Sequence, residues 1–309
     1  MSRKTATLLI ALLGLTLGLG GAPGEAMARQ EKAPVVKKYK PAVKRNIRKA
    51  TWEDFSNLKL HSSAAMVLDQ STGAVLFEKN AGAVLPIASI TKLMTAMVVL
   101  DAQPDLNEVL AIDDDDVDTL KGTHSRLRVG TQLSREDMLR LALMSSENRA
   151  SSALSRHFPG GRPAFVAAMN RKAHMLGLQD TYFADPTGLT AANVSSARDL
   201  VRMVSAAQQY PLIRQFSTST EYEVPIAGRT QVFRNTNSLV RSSSWEIGLS
   251  KTGFINEAGR CLVMQAWLAN KPTIIVLLDS LGKMTRLGDA NRIKHWVENS
   301  PLPHRQFAG

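Results

Sequence analysis

Pro86-Ile87-Ala88-Ser89-Ile90-Thr91-Lys92-Leu93-Met94-Thr95, continued by Ala96-Met97-Val98-Val99-Leu100, is the stretch around which the chain is organised. Proline suits the residue just before a helix or in its first turn, and the apolar run behind it reads as a buried helix. Residues three apart share a helix face, so the Lys92 ammonium is expected beside the Ser89 hydroxyl. A neutral lysine held there can take the serine proton and turn a poor nucleophile into a good one.

The spacing alone says little. Average composition gives roughly one Ser-x-x-Lys by chance in a chain of this length, and Ser56/Lys59 and Ser280/Lys283 share it. Ser89 stands out through its company. Ser146-Glu147-Asn148 and Lys251-Thr252-Gly253 follow in order, the only Ser-x-Asn and Lys-Thr-Gly of the chain. Together the three match the known three-part signature of serine–lysine acyl-transfer enzymes. Singly, each has a plainer reading: Ser146 as a polar helix end, Asn148 as the N-cap of the next helix, Lys251-Thr252-Gly253 as a strand-edge turn.

Towards the N-terminus, residues 1–28 read as a secretory signal. Arg3 and Lys4 open it, residues 8–19 are its apolar middle and Ala26-Met27-Ala28 its small-residue cleavage pattern. The apolar run is short for a membrane span, and an uncleaved anchor is the rival. Residues 29–50 hold nine Lys or Arg against Glu31, with Pro34 and Pro41 and few large apolar residues. Such a segment buries too little to offset its ordering entropy, so a flexible linker is expected to residue 54. Leader and linker take +1 and +8 of the net charge of +11, leaving about +2 for residues 51–309. The basic balance therefore belongs to a tail and not to a nucleic-acid-binding face. Weak contact of that tail with anionic envelope components is a secondary expectation.

The remainder suits one large domain over 55–300, with 301–309 as a C-terminal tail. Residues 64–69 and 74–79 read as a hairpin turning at Gln70-Ser71-Thr72-Gly73. Asp113 to Asp116 with Asp118 lack the spacing of a calcium loop and read as a solvated loop or helix start. Ser134 and Asp137 resemble a capping box ahead of an apolar helix ending near Ser146. A helical stripe runs from 163 to 176, and Ser196 is placed to cap a helix over 197–208. The last third turns to sheet, with strands expected at 222–226, 232–235, 248–255, 260–268 and 273–279 and a closing helix over 289–298. The single cysteine, Cys261, lies in an apolar strand and reads as a core thiol, with no internal disulfide available. An α+β fold with the chain ends meeting in one sheet is the result.

Other chemistries find little support. The six histidines form no metal-ligand pair on a helix face, and neither a phosphate-binding nor a dinucleotide glycine pattern occurs. A Ser-His-Asp hydrolase calls for G-x-S-x-G, which is missing. No cofactor and no metal are expected.

The chain resembles the low-molecular-mass penicillin-binding proteins, serine-type D-Ala-D-Ala carboxypeptidases and endopeptidases. The likeness spans residues 58–300 and includes Pro86 to Thr95, Asp185-Pro186-Thr187-Gly188-Leu189, Lys251-Thr252-Gly253-Phe254 and Ala258-Gly259-Arg260-Cys261-Leu262. It implies a β-lactamase/D,D-peptidase-like α+β fold, an antiparallel sheet flanked by helices beside a mostly helical lobe. It implies that Ser89 attacks the D-alanyl carbonyl, Lys92 is the general base and Ser146 passes the proton to the leaving amine. Asn148 holds Lys92 and the substrate amide. Lys251 and Thr252 meet a substrate carboxylate, with Lys251 as a fixed positive charge. Gly253 leaves room for the peptide, and the backbone N–H groups of Ser89 and Phe254 form the oxyanion hole. Peptidoglycan stem peptides and β-lactams are the implied partners, and the periplasm the implied compartment.

The chain departs from the family at Glu147, where carboxypeptidases carry a small residue. It also has only 56 residues after Gly253, leaving no room for a second β-domain and amphipathic anchor. That compactness resembles the endopeptidase branch cutting D-Ala cross-links, with terminal D-Ala trimming as the alternative. A class A β-lactamase would need a deacylating Glu near 181–186, where the chain has none. A non-catalytic penicillin or peptidoglycan sensor is the rival from another class.

Overall fold

The computed structural model describes residues 58–299, so the expected leader, linker and C-terminal tail lie outside the described residues. The fold begins with β1 (Ser62–Asp69) and β2 (Val75–Lys79), hydrogen-bonded as the expected antiparallel hairpin. After β3 (Leu85–Pro86), a 3-10 turn at Ala88–Ile90 leads into α1 (Thr91–Asp101). Then come β4 (Val109–Ala111), β5 (Gln132–Ser134), α2 (Arg135–Met144), α3 (Asn148–Arg156) and α4 (Gly161–Met175). They are followed by β6 (Val194–Ser195), α5 (Ala197–Ala207), α6 (Pro211–Thr218), β7 (Glu221–Ile226) and β8 (Arg229–Arg234). The chain closes with β9 (Glu246–Ile255), β10 (Gly259–Leu268), β11 (Lys271–Ser280) and α7 (Thr285–Asn299).

Five strands form the main antiparallel sheet in the order β2-β1-β11-β10-β9. The N-terminal hairpin thus pairs with the last strand, and β9 is left at an edge. Both faces are buried along most of β1, β10 and β11, which explains the long apolar runs of these three strands. On β11, Ile274, Val276 and Leu278 join the core shared with α5 and the helical lobe, whereas Ile275 and Leu277 join a second core that includes Ala290 and Ile293 of α7. Cys261 is fully buried on β10, where burial pushes its thiol up to about 11. It is a core residue.

Local signals place several helices. Ser134 Oγ accepts the Asp137 N–H at 3.0 Å to cap α2, and Ser196 Oγ accepts the Asp199 N–H at 3.2 Å to cap α5. Residues 91–99 of α1 are all buried, as a helix apolar on every side requires.

Three features differ from the sequence expectation. The strands β7 and β8 form a separate hairpin, whose Val224, Ile226 and Phe233 pack into the helical-lobe core while Glu221, Glu223 and Arg234 face out. The meander of the main sheet is therefore β9-β10-β11 alone. Asp116 is not solvated: it is 3% exposed and paired with Arg156 at 2.8 Å. The closing helix also starts earlier than expected, at Thr285.

Candidate active site

The turn carrying Ser89 is strained and tightly seated. Ala88 adopts φ 47°, a left-handed conformation that costs a non-glycine residue of order 1–3 kcal/mol. Two glycines make space for it. A Cβ at Gly188 (φ 82°) would lie 2.0 Å from Ala88 O, and one at Gly253 would lie 2.8 Å from Ile87 O and 3.1 Å from Ser89 N. The missing side chain at Gly253 thus lets β9 close on the serine turn. Arg286 also donates to Gly253 O, at 3.4 Å.

Around this turn the three motif stretches converge. Lys92 Nζ lies 2.8 Å from Ser89 Oγ, 2.7 Å from Asn148 Oδ1 and 2.6 Å from Thr187 O. Lys251 Nζ donates to Ser146 Oγ at 2.9 Å and to Thr252 O at 2.9 Å. Ser146 sits between α2 and α3 with φ 63°, a second strained residue at the site. Asn148 is the first residue of α3, and Glu147, not Asn148, occupies its N-cap position. Thr252 donates to Thr236 Oγ1 at 2.6 Å. Phe254 is half-exposed at the end of β9, with the Arg260 guanidinium 4.4 Å over its ring.

The electrostatics follow from burial. Lys92 is fully enclosed; desolvation brings its pKa down to about 7, opposed by the charges of Asp185 and Glu147. Burial likewise lowers Lys251 well below its ordinary value, helped by the positive charges of Lys92 and Arg286. Glu147 is buried and its carboxyl is raised by desolvation, against the opposing effects of Ser125 Oγ at 2.7 Å, Arg126 and Lys92. The motif departure at this position thus places an acid inside the site wall.

Sequence reasoning missed several contributors. Thr187 supplies a backbone carbonyl to Lys92, and Asp185 accepts from Thr187 N, Gly188 N and Thr190 N, which rigidifies that turn. Thr123 accepts from Asn148 Nδ2 at 3.0 Å. The turn-rich composition of 185–189 marks a loop but not its neighbour, since Lys92 and Thr187 are 95 positions apart.

Comparison with known proteins agrees with this fold. The family model described as D-alanyl-D-alanine carboxypeptidase matches residues 50–282. A D-alanyl-D-alanine endopeptidase of Pseudomonas aeruginosa is 52% identical over 246 residues, covering 79% of this chain and 79% of the relative. The D-alanyl-D-alanine endopeptidase of Escherichia coli is 48% identical over 253 residues, covering 80% and 82%. Among solved structures, the Streptomyces K15 DD-transpeptidase superposes with TM-score 0.71 at 28% identity, covering 77% of this chain and 97% of that one. With motif order, fold and similarity in agreement, the chain belongs to the D-alanyl-D-alanine carboxypeptidase family of serine peptidases.

Proposed function

We propose that this protein is a peptidoglycan D-alanyl-D-alanine endopeptidase that cuts D-Ala cross-links through an acyl ester on Ser89. The observation that carries the reading is the 2.8 Å approach of Lys92 Nζ to Ser89 Oγ, made by an amine whose pKa is brought down to about 7. A base titrating near the working pH is neutral often enough to accept a proton and still basic enough to want it.

A neutral amine has two N–H groups and one lone pair. Asn148 Oδ1 and Thr187 O take the two N–H groups, leaving the lone pair for the Ser89 hydroxyl. Ser89 Oγ then attacks the D-alanyl carbonyl carbon as its proton passes to Lys92. The oxyanion is met by the backbone N–H groups of Ser89 and Phe254. Collapse breaks the peptide bond, and the leaving amine takes a proton by way of Ser146, whose hydroxyl is held by Lys251. Water, deprotonated by Lys92, finally hydrolyses the ester.

Among the described residues the outer edge of β9 pairs with no strand in the main sheet, so an extended peptide can add along it. Approach of a substrate carboxylate favours the protonated form of Lys251, which serves as its anchor. Thr252 must release Thr236 to contribute its hydroxyl.

Two relatives of about half identity named as endopeptidases support cross-link cleavage over trimming. Carboxypeptidase action is the second reading, favoured by the family description and by relatives at about 30% identity. β-Lactams are expected to acylate Ser89 and leave slowly. In the 181–186 stretch the one carboxylate, Asp185, is occupied by its own turn. Action in the periplasm rests on the leader read at residues 1–28; among the described residues no helix is long and apolar enough to cross a membrane.

Digestion of purified cross-linked muropeptide dimers, with products identified by mass, tests the reading. Monomers released from dimers are expected. Loss of single terminal D-alanines with dimers intact would transfer the assignment to carboxypeptidase, and no product would refute both.

A further inference from the structure

The side-chain amide of Asn148 can face Lys92 in two ways, and only one leaves the lysine lone pair free. With Oδ1 towards Nζ, the amide accepts an N–H. Turned over, its NH₂ would donate into the same lone pair that must take the Ser89 proton. Nothing within the Ser146-Glu147-Asn148 motif decides between these orientations; a neighbouring loop does.

Asp118 accepts four hydrogen bonds: from Leu120 N at 2.8 Å and Lys121 N at 2.9 Å on Oδ1, and from Thr123 N at 2.9 Å and the Thr123 hydroxyl at 2.7 Å on Oδ2. Burial pushes the Asp118 carboxyl up, but the donors of Lys121, Thr123 and Leu120 outweigh it and hold the group below its ordinary value. It is therefore an ionised acceptor with no proton to give. The Thr123 hydroxyl must spend its one hydrogen on Asp118 and has only lone pairs left. Asn148 Nδ2, at 3.0 Å, is consequently drawn to Thr123, and Oδ1 is left at 2.7 Å from Lys92 Nζ. The chain of constraints runs one way, from a carboxylate at the rim to the amine at the centre. The loop that carries it is also pinned to the sheet, because Lys121 forms an ion pair with Glu257 in the turn between β9 and β10.

We propose that Asp118 and Thr123 are positioning residues that fix the Asn148 amide with its oxygen towards Lys92, keeping the lysine lone pair for Ser89. This rests on the reading of Lys92 as base given above. The titratable groups facing Lys92 are Glu147, Asp185 and Lys251, and the proposed changes alter none of them.

The test is the second-order acylation rate with a fluorescent penicillin across pH 5–9, for the unaltered full chain, Thr123→Val, Thr123→Ser and Ser89→Ala. Valine keeps the shape but supplies no acceptor, so the amide is released to turn. Loss of an oriented partner at a buried polar group is expected to lower the plateau rate by about 10- to 100-fold. Loss of the oxygen acceptor also disfavours the ammonium, so the acid limb should move to lower pH. Thr123→Ser, which keeps the hydroxyl, should restore rate and limb together. Thr123 is partly exposed, and unfolding midpoints of the variants check that the fold is kept. A Thr123→Val profile equal to the unaltered one would overturn the proposal, as would a lowered plateau with an unmoved limb that Thr123→Ser fails to rescue. Acylation persisting in Ser89→Ala, or absent from the unaltered chain, would instead remove the reading of the site on which the proposal stands.

Discussion

Lys92 is the residue where stability and chemistry pull in opposite directions. Its folded pKa of about 7 lies below the ordinary lysine value of 10.5, so the unfolded chain binds more protons between these limits. The penalty for burying the charge is fully present below pH 7 and disappears as pH rises from about 7 to about 10.5. Two outcomes follow. Acylation by a penicillin should rise with pH to a half-maximum near 7, measured by stopped-flow or gel fluorescence; a rate independent of pH between 5 and 9 would contradict the assignment. Lys92→Met should abolish acylation yet raise the unfolding temperature relative to the unaltered enzyme by more at pH 6 than at pH 9, read by calorimetry. The proposed role of Lys251 is in binding. Lys251→Ala should lower the second-order acylation constant by about 10- to 100-fold through weaker capture, with the limiting first-order rate much less affected, and saturation kinetics separate the two.

At the level of elements, the site is a junction: the serine turn is pressed between the 185–189 loop and the edge strand β9. Gly188→Ala puts a methyl group into Ala88 O and forces a left-handed backbone on alanine. A loss of at least about 2 kcal/mol in denaturant unfolding is expected, with near-complete loss of acylation. Gly73→Ala, with φ 74° but open space around it, should cost only about 1 kcal/mol and leave acylation unchanged. Equal effects of the two would show that the close packing is not what seats the serine. The same contrast explains what could be read beforehand. Motif order, the hairpin at 64–79 and the three closing strands are written in local patterns, because strand alternation and turn residues act over a few positions. The partners Thr187, Thr123 and Asp118 are not, since each is joined to the site only through contacts 25 to 95 positions away. The helix at Pro211–Thr218 and the separate β7–β8 hairpin escaped for a related reason: their burial is decided by the helical lobe, with Phe216 and Phe233 entering its core. Glu147 stands out in sequence only as a departure from the motif, and it is the folded loop with Ser125 that encloses it.

For the whole molecule, charge and catalysis are divided along the chain. Residues 29–50 carry a net +8, whereas residues 51–309 carry about +2. A chain beginning at residue 51 should therefore acylate at the rate of the full chain but adsorb less to anionic peptidoglycan sacculi. The difference should vanish as salt shortens the Debye length from about 10 Å at 0.1 M to about 3 Å at 1 M. Co-sedimentation at several ionic strengths reads this directly, and equal adsorption at low salt would rule the tail out as an anchor.

The reading of Ser89 as the nucleophile, with Lys92 on its hydroxyl and Lys251 on that of Ser146, is most directly tested by treating the full chain with a penicillin, digesting it and locating the adduct by tandem mass spectrometry. A stoichiometric penicilloyl ester on Ser89, absent from Ser89→Ala, is the predicted result. An adduct on any other residue, or none, would contradict the account.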